Sequence, residues 1–331
     1  MTTDAPAQPI LAWHWVPAVA ALIAAVPAVV VTAVVDVGAG AALAIGLIPA
    51  LIAGIPRSRR ARLIIPGTAL IVGLPIIIGS AVSPFPVVAV AVMAVLPLLA
   101  VWSALAWAGP RVSAVLIGIA PPLTGVGLSS AGIESGLRIT GLFLLGAAAA
   151  FTVAIVIPGR LLPADAAGRV GGRSPGLNYG LRVGVVGALT AGIGYAFDFD
   201  HVGWACAAAL LVMRPDPDMQ LWRTAGRFVS VVTGGALAVI LVQYAPAWVV
   251  AVMVGIALAT AAGTRGSRWY VLPTFTTFLV ILMLGATTAG TAPGRLGERV
   301  GETVLGLVVA AVIGLGVPAV VALRSRQIRV E

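Results

Sequence analysis

The stretch GLIPALIAGIPRSRRARLIIPGTALIVG, residues 46–73, places a run of arginines between two long apolar segments. The same alternation continues along the whole chain of 331 residues, of which 60% are hydrophobic and only 9% are charged. Because about a quarter of the residues in a soluble globular protein are charged, this chain has too few charges to cover a water-exposed surface. The pattern predicts an all-α membrane protein in which arginine-bearing loops connect apolar helices.

Glycine, proline and charged residues divide the chain into twelve apolar segments. A hydrocarbon layer about 30 Å thick is crossed by about 20 helical residues, and most of the segments approach this length. The segments are 16–35, 38–55, 63–82, 86–107, 112–128, 136–157, 177–196, 202–213, 228–243, 247–263, 269–285 and 300–323. The sequence therefore predicts about 12 transmembrane helices joined by short loops.

The basic residues predict the orientation of these helices. All 20 are arginines, and arginine in short loops marks the cytoplasmic side of a membrane. We number the gaps between consecutive segments from the N-terminus. Only Arg138, Arg295 and Arg299 belong to odd-numbered gaps, whereas the other arginines lie in or near the even-numbered gaps and the C-terminal end. We therefore expect both termini to be cytoplasmic. Nucleic-acid binding is not expected, because it needs basic residues gathered on one exposed surface.

An internal repeat relates the two halves of the chain. A gap-free shift of 161 residues superposes the first six segments on the last six, and it places Arg62 on Arg223 and Arg138 on Arg299. Because each half has an even number of crossings, the halves would share one orientation and form a parallel repeat. The predicted organisation is a first six-helix repeat at 1–158, a cytoplasmic linker at 159–176 and a second six-helix repeat at 177–331.

Charged residues at the ends of two segments form the first candidate site. Such charges are costly in a membrane, so they usually face a wet cavity or a partner group. Glu134 and Arg138 lie at the start of the sixth segment, and Glu298, Arg299 and Glu302 lie at the start of the twelfth. The arginines can attract an anion while their acidic neighbours accept protons. Alternatively, residues three or four apart can form interfacial ion pairs that hold the helix ends.

A second candidate site surrounds the unusually short segment 202–213, which spans only about 18 Å as a helix. Asp198, Asp200 and His201 precede this segment, and Trp204 lies near its start. Short or interrupted segments often mark the binding site of a transporter, and histidine beside two carboxylates can relay protons. The alternative is a solvated outer loop.

Two weaker candidates involve helix starts and breaks. Arg227 belongs to a cytoplasmic loop and helix start that is rich in arginine and aspartate, where it can bind an anion or simply anchor the helix. Pro273, followed by Thr274 and Thr276, is expected to interrupt the eleventh segment, as the Pro121–Pro122 pair does the fifth. Backbone groups freed by such breaks need protein or water partners, which indicates either a cavity wall or a packing kink.

The candidate residues therefore form two sets. Substrate-binding candidates are Arg138, Arg299, Arg227, Trp204, Thr274 and Thr276. Proton-coupling candidates are Glu134, Asp198, Asp200, His201, Glu298 and Glu302.

Three motifs of the second half resemble those of a known family. They are HVGWACAAALLVMRPD at 201–216, WRTAGRFVSVVTGGALAV at 222–239 and GRLGERVGETVLG at 294–306. These motifs resemble the fusaric acid resistance family, whose members are also called aromatic acid exporters. The resemblance covers about half of the chain. It implies a multi-pass protein of the inner (cytoplasmic) membrane that exports aromatic or other organic acids, with distant kinship to plant malate-type anion channels.

The predicted function is a secondary transporter that exports organic, chiefly aromatic, acids, with proton coupling as a hypothesis. A passive anion channel and a non-transporting membrane scaffold for envelope assembly are the alternatives. The chain has no lysine, which excludes a Walker A loop, and we expect no enzymatic activity, no cofactor and no metal site. Expected partners are a small organic anion, the lipid bilayer, and either a second copy of the chain or another membrane protein.

Overall fold

A computed structural model of the chain describes residues 11–106, 116–130, 132–162, 176–265, 267, 271–287 and 292–316, and it contains helices but no strand in these ranges. The helices are Trp15–Val34 (α1), Val37–Gly46 (α2), Ile48–Ala53 (α3), Ile64–Val82 (α4), Pro86–Ala106 (α5), Ala120–Leu128 (α6), Gly132–Val156 (α7), Leu177–Ala196 (α8), Val202–Val212 (α9), Pro217–Tyr244 (α10), Ala247–Gly263 (α11), Val271–Thr287 (α12) and Ala292–Ala311 (α13). Short 3₁₀ turns span Arg60–Leu63 and Gly159–Leu161, and a π-helical turn, Val312–Gly316, follows α13.

Within the described ranges, six helices are long and apolar enough to cross a membrane. They are Trp15–Val34, Arg60–Val82, Pro86–Ala106, Gly132–Val156, Pro217–Tyr244 and Leu296–Gly316. Five shorter apolar helices are Val37–Ala53, Leu116–Leu128, Val202–Val212, Ala247–Gly263 and Val271–Leu282. The chain is therefore a multi-pass helical membrane protein. The number of twelve crossings and the cytoplasmic termini stay predictions.

Two predicted helix starts were wrong because charged residues were treated as loop residues. The helix expected to begin at residue 228 begins at Pro217, and the one expected at residue 300 begins at Ala292. Arg227 and Arg299 consequently lie inside helices, where neighbouring helices leave each only 6% exposed. A helix can carry a charge within an apolar bundle when packing shields that charge from lipid.

The breaks inside the apolar segments agree only in part with the expectations. The second segment is divided at Leu47 into α2 and α3. The fifth segment shows a turn at Ile119, next to the Pro121–Pro122 pair, as expected. Pro273, by contrast, does not interrupt the eleventh segment, because it lies in the first turn of α12. Proline is tolerated there since the N–H groups of a first helical turn have no partner within the helix.

The chain divides into two compact units, each assembled from three separate stretches. Unit 1 comprises Met1–Leu70, Leu142–Ala167 and Val229–Gly297, and unit 2 comprises Ile71–Gly141, Gly168–Phe228 and Glu298–Glu331. Each unit thus draws residues from both predicted repeats. Unit 1 combines the two outer stretches of the predicted first repeat with the middle stretch of the predicted second repeat. Unit 2 combines the middle stretch of the first with the two outer stretches of the second.

Corresponding helix pairs pack against each other in the two units. In unit 1, α1 packs on α11 and α2, and α2 packs on α12. In unit 2, α8 packs on α5 and α9, and α9 packs on α6. The shift of 161 residues relates α1 to α8, α2 to α9, α5 to α11 and α6 to α12. The internal duplication and the parallel arrangement of two six-helix repeats across the membrane both stay predictions.

Glycines allow close helix crossings at equivalent places in the two units. A Cβ atom on Gly146 of α7 would overlap the backbone oxygen of Gly46 in α2. In unit 2, a Cβ atom on Gly306 of α13 would overlap the backbone oxygen of Ala205 in α9. Small residues at such crossings let helix backbones approach closely, which is how helices in lipid gain packing energy.

A buried arginine holds the end of α7 in unit 1. Arg62 is fully buried, and its Nε donates a hydrogen bond of 3.0 Å to the carbonyl oxygen of Pro56. Its Nη1 donates to the carbonyl oxygens of Ala154 and Ile155, in the last turn of α7. The last carbonyls of a helix have no partner within the helix, so this guanidinium satisfies them and complements the negative end of the helix dipole.

Candidate functional site

The parts of three helices that belong to unit 2 bring polar residues together in the interior of that unit. Trp204 comes from the first turn of α9, Arg227 from α10, and Arg299 and Glu302 from α13, with His201 directly before α9. Trp204 is 5% exposed and Glu302 is 8% exposed, so both are buried like the two arginines. We call these five residues the arginine–tryptophan cluster.

Trp204 is the centre of the cluster. The guanidinium carbon of Arg299 lies over its ring, 4.4 Å from the centroid. The His201 ring stacks on the Trp204 ring, with centroids 4.0 Å apart and planes inclined by 16°. A guanidinium at this distance gains a cation–π attraction that strengthens when water is excluded. The indole thus fixes the position of the Arg299 side chain.

Polar atoms of α13 in this cluster, and of the nearby Thr303, have unused hydrogen-bonding capacity. Nε and Nη1 of Arg299 are buried and donate no hydrogen bond to the described residues. The Oε2 atom of Glu302 and the Oγ1 atom of Thr303 are buried and likewise make no hydrogen bond within this part of the chain. Leaving a buried polar group unsatisfied costs about 1–3 kcal/mol, and more for a charged group. Such groups therefore indicate where a ligand can bind.

The charges of the cluster act on one another. Arg227 and Glu302 both lie within electrostatic range of Arg299. Glu302 in turn lies within range of Glu298 and Asp200, which are exposed. With Glu302 ionised, the two guanidinium groups leave one net positive charge on the buried part of the cluster. With Glu302 protonated, they leave two, so the protonation state of one carboxyl group sets the attraction for an anion.

A shallow cavity reaches the edge of this region. It is lined by Asp200, by Ser129 and Ser130 after α6, and by Phe199 and Val202 around the start of α9. Asp200 therefore lies both on the cavity wall and within electrostatic range of the buried Glu302.

The remaining predicted residues lie outside the cluster. Arg138 and Glu134 are exposed in the first two turns of α7, although the repeat pairs Arg138 with the buried Arg299. Asp198 is exposed and has a positive φ of 52°. Thr274 and Thr276 belong to α12 in unit 1, and Thr276 Oγ1 donates a hydrogen bond of 3.1 Å to the Pro273 carbonyl. Their roles stay predictions.

Sequence reasoning missed Thr303 as a member of the site. It lies four residues after Arg299, so the two side chains share one face of α13, and Thr303 is fully buried. Helical spacing from Arg299 could have found it, had the start of α13 been placed correctly.

The cluster belongs to the second repeat alone. At the positions that the 161-residue shift pairs with Trp204, Arg227 and Glu302, the first repeat has Leu43, Pro66 and Gly141. The predicted repeat therefore does not place equivalent polar residues at these three positions of the first half.

Comparison with known proteins points to the same half of the chain. Residues 189–313 match the family described as fusaric acid resistance protein-like. This range contains every residue of the arginine–tryptophan cluster, and the match confirms the resemblance seen in the sequence motifs. No curated protein and no solved structure matches the chain.

Proposed function

We propose that this multi-pass membrane protein, whose residues 189–313 are fusaric acid resistance protein-like, is a secondary transporter that exports organic, chiefly aromatic, monoanions across the cytoplasmic membrane. One observation carries the proposal: the buried guanidinium of Arg299 lies on the Trp204 ring, and two of its nitrogen atoms, Nε and Nη1, make no hydrogen bond to the described chain.

The chemistry of the cluster favours an anion with a planar head group. A guanidinium presents a fixed fork of N–H donors that fits a carboxylate, and charge-assisted hydrogen bonds are about twice as strong as neutral ones. The single net positive charge left by Arg227, Arg299 and ionised Glu302 matches a monoanion. The indole of Trp204 offers an aromatic partner for an apolar ring attached to that head group.

The depth of the two arginines supports a transport site. Arg227 lies ten residues after the start of α10, about 15 Å along the helix, and Arg299 lies seven residues after the start of α13, about 10 Å along it. In the predicted topology these helices begin on opposite sides of the membrane. A site formed deep within the bundle from such helices can be reached alternately from either side.

Glu302 supplies a basis for proton coupling. Its carboxylate competes with the substrate for the Arg299 guanidinium, so an anion binds more tightly when Glu302 is protonated. Asp200, on the wall of the shallow cavity, lies within electrostatic range of Glu302 and offers a route for this proton. Exit of the monoanion without an accompanying proton is favoured by an inside-negative membrane potential, by about 2.3 kcal/mol per 100 mV, whereas exit together with the proton moves no net charge.

Flux measurements in vesicles test this proposal. The purified full-length protein, reconstituted into lipid vesicles, is expected to release preloaded labelled benzoate in a saturable and pH-dependent manner. Protein-free vesicles are the control. Large currents without dependence on a pH gradient would instead indicate a passive anion channel. Absence of flux for a panel of aromatic and aliphatic acids, with the protein correctly inserted, would refute transport and favour the scaffold alternative.

A further inference from the structure

A second cavity, unrelated to the arginine–tryptophan cluster, lies within unit 1. Its volume is about 310 Å³, and its walls come from α1, α3, the segment after α3 and the end of α11, with one residue each from α4 and α7. We call it the α1–α3 cavity. Its volume is at the lower end of the range found for small-molecule sites, about 300–1,000 Å³.

The volume exists because the wall residues are small. Ala20, Ala21 and Ala24 face it from α1, and Ala50 and Ala53 face it from α3. Eight of its 17 lining residues are alanine or glycine. Any longer apolar side chain at these positions could extend into the space. An apolar wall of this kind gains dispersion contacts from an apolar group that enters, and cavities of about 150 Å³ already bind benzene-sized molecules.

The polar side chains of the lining are His14 and Arg265, while the remaining lining residues are aliphatic, proline or glycine. His14, directly before α1, is fastened by its backbone N–H, which donates a hydrogen bond of 2.8 Å to the Gly263 carbonyl oxygen. Gly263 is the last residue of α11, and Arg265 follows it by two residues. The backbone of His14 is therefore bonded close to the point where Arg265 leaves the helix.

The position of Arg265 is fixed by the end of α3. Its Nη2 donates a hydrogen bond of 3.2 Å to the Ile52 carbonyl oxygen. The guanidinium also occupies the place where a Cβ atom of residue 54 would lie, so only glycine leaves room for it. Gly54 additionally has a φ of +65°, which L residues rarely adopt. The backbone at Gly54 is thus shaped to accept the arginine at the rim of the cavity.

We propose that the α1–α3 cavity binds an amphiphilic monoanion, with its carboxylate or phosphate head at Arg265 and His14 and its apolar chain among the alanines. Arg265 is predicted to be cytoplasmic, where anionic lipids are also concentrated. The ligand is either a free organic acid or a membrane lipid, because both have this chemistry. The site is formed by unit 1 residues alone, so it stands independently of the proposed transport site.

Photolabelling tests the site. The probe is decanoic acid with a diazirine near the chain end, and the corresponding primary amide is the uncharged control. In the purified full-length protein, the acid is expected to label α1 and α3 saturably, as mapped by peptide mass spectrometry. Arg265→Gln should weaken labelling by the acid about tenfold, the value of one charge-assisted hydrogen bond, and should leave the amide unchanged. Equal labelling by acid and amide in the unmutated protein would overturn the proposal.

Matched variants separate a specific site from general lipid contact. The double variant Ala21→Phe, Ala50→Phe should reduce labelling by both probes because its rings fill the cavity. Arg60→Gln removes an exposed arginine outside the cavity wall and should label like the unmutated protein. Labelling that is insensitive to both Arg265→Gln and the filled cavity would refute the site. If the filled variant fails to fold, the Arg265→Gln comparison of acid and amide still decides.

Two arms identify the source of the ligand. A stoichiometric anionic phospholipid that is retained in native mass spectrometry and lost in Arg265→Gln would indicate a membrane lipid. Displacement of the probe by millimolar benzoate, with no retained lipid, would indicate a free organic acid. Arg299→Ala should abolish benzoate flux but keep photolabelling, so a failure of the transport proposal can be distinguished from a failure of this one.

Discussion

The guanidinium carbon of Arg299 lies 4.4 Å from the centroid of the Trp204 ring. These residues are far apart in the sequence, and the contact arises because α13 crosses α9. Gly306, two turns after Arg299 on α13, approaches the backbone of Ala205 so closely that no side chain would fit. The crossing that joins the helices thus also positions the arginine, and several consequences can be measured.

Replacing Arg299 should remove transport. Arg299→Ala loses the charge-assisted hydrogen bonds to the anion, so we expect benzoate flux at subsaturating concentration to fall about tenfold or more. Arg299→Lys should be intermediate, because lysine keeps the charge but not the planar fork. Arg138→Ala, at the equivalent and exposed position of the first repeat, is the control. Equal losses in Arg138→Ala and Arg299→Ala would contradict a site centred on Arg299.

Replacing Glu302 should remove the pH dependence of binding. In the unmutated protein, the apparent affinity for benzoate should fall as pH rises, because ionised Glu302 competes for Arg299. Glu302→Gln cannot ionise, and its affinity should stay nearly constant across the same pH range. Glu298→Gln, an exposed neighbour on α13, should keep a pH dependence, because Glu302 can still ionise in this variant. A profile unchanged by Glu302→Gln would exclude this carboxyl group from proton coupling.

Two glycine crossings should be intolerant of a methyl group. Gly146→Ala and Gly306→Ala place a Cβ atom against backbone, so we expect destabilisation of about 1–3 kcal/mol from overpacking. Gly141→Ala and Gly301→Ala, on the same two helices, meet nothing within 4 Å and are the controls. Apparent melting temperatures in detergent provide the comparison. Similar melting temperatures for all four variants would show that these crossings are not tight.

Loss of Arg62 should strongly destabilise unit 1. Arg62→Leu leaves the last carbonyls of α7 without their donor, and each buried polar group left unsatisfied costs about 1–3 kcal/mol. Arg60→Leu, a change of the same type at an exposed position in the same turn, should have little effect. The yield of monodisperse protein and its melting temperature are the measurements. Tolerance of Arg62→Leu would mean that other groups satisfy these carbonyls.

Cysteine labelling should test the predicted topology. The native Cys206 is fully buried, so it should give little background. Cysteines introduced at Ser58 and at Ser174, which lies outside the described residues, should react with a membrane-impermeant thiol reagent from the cytoplasmic side only. Reaction from opposite sides would rule out two six-helix repeats of the same orientation.

Helix positions could be predicted wherever the sequence marks both ends. The segments 177–196 and 247–263 coincide with α8 and α11, because glycine, proline or charge interrupts the apolar run at each end. The starts of α10 and α13 were wrong because hydrophobicity alone places charged residues outside helices. Asp216 lies directly before Pro217, the first residue of α10, and its side chain accepts a hydrogen bond from the Asp218 N–H. This helix-start signal is not visible in the apolar runs.

The sequence by itself determined that this is a helical membrane protein, since the number of apolar residues and their spacing act locally on every turn of the chain. It also singled out Arg227, Arg299 and Trp204 as candidates. Only the tertiary structure decided that these three meet near Glu302 while Arg138 stays exposed, because burial of a charge depends on which distant helices pack around it. Local pattern selects the helices, and the contacts between helices select which of their polar residues share a site.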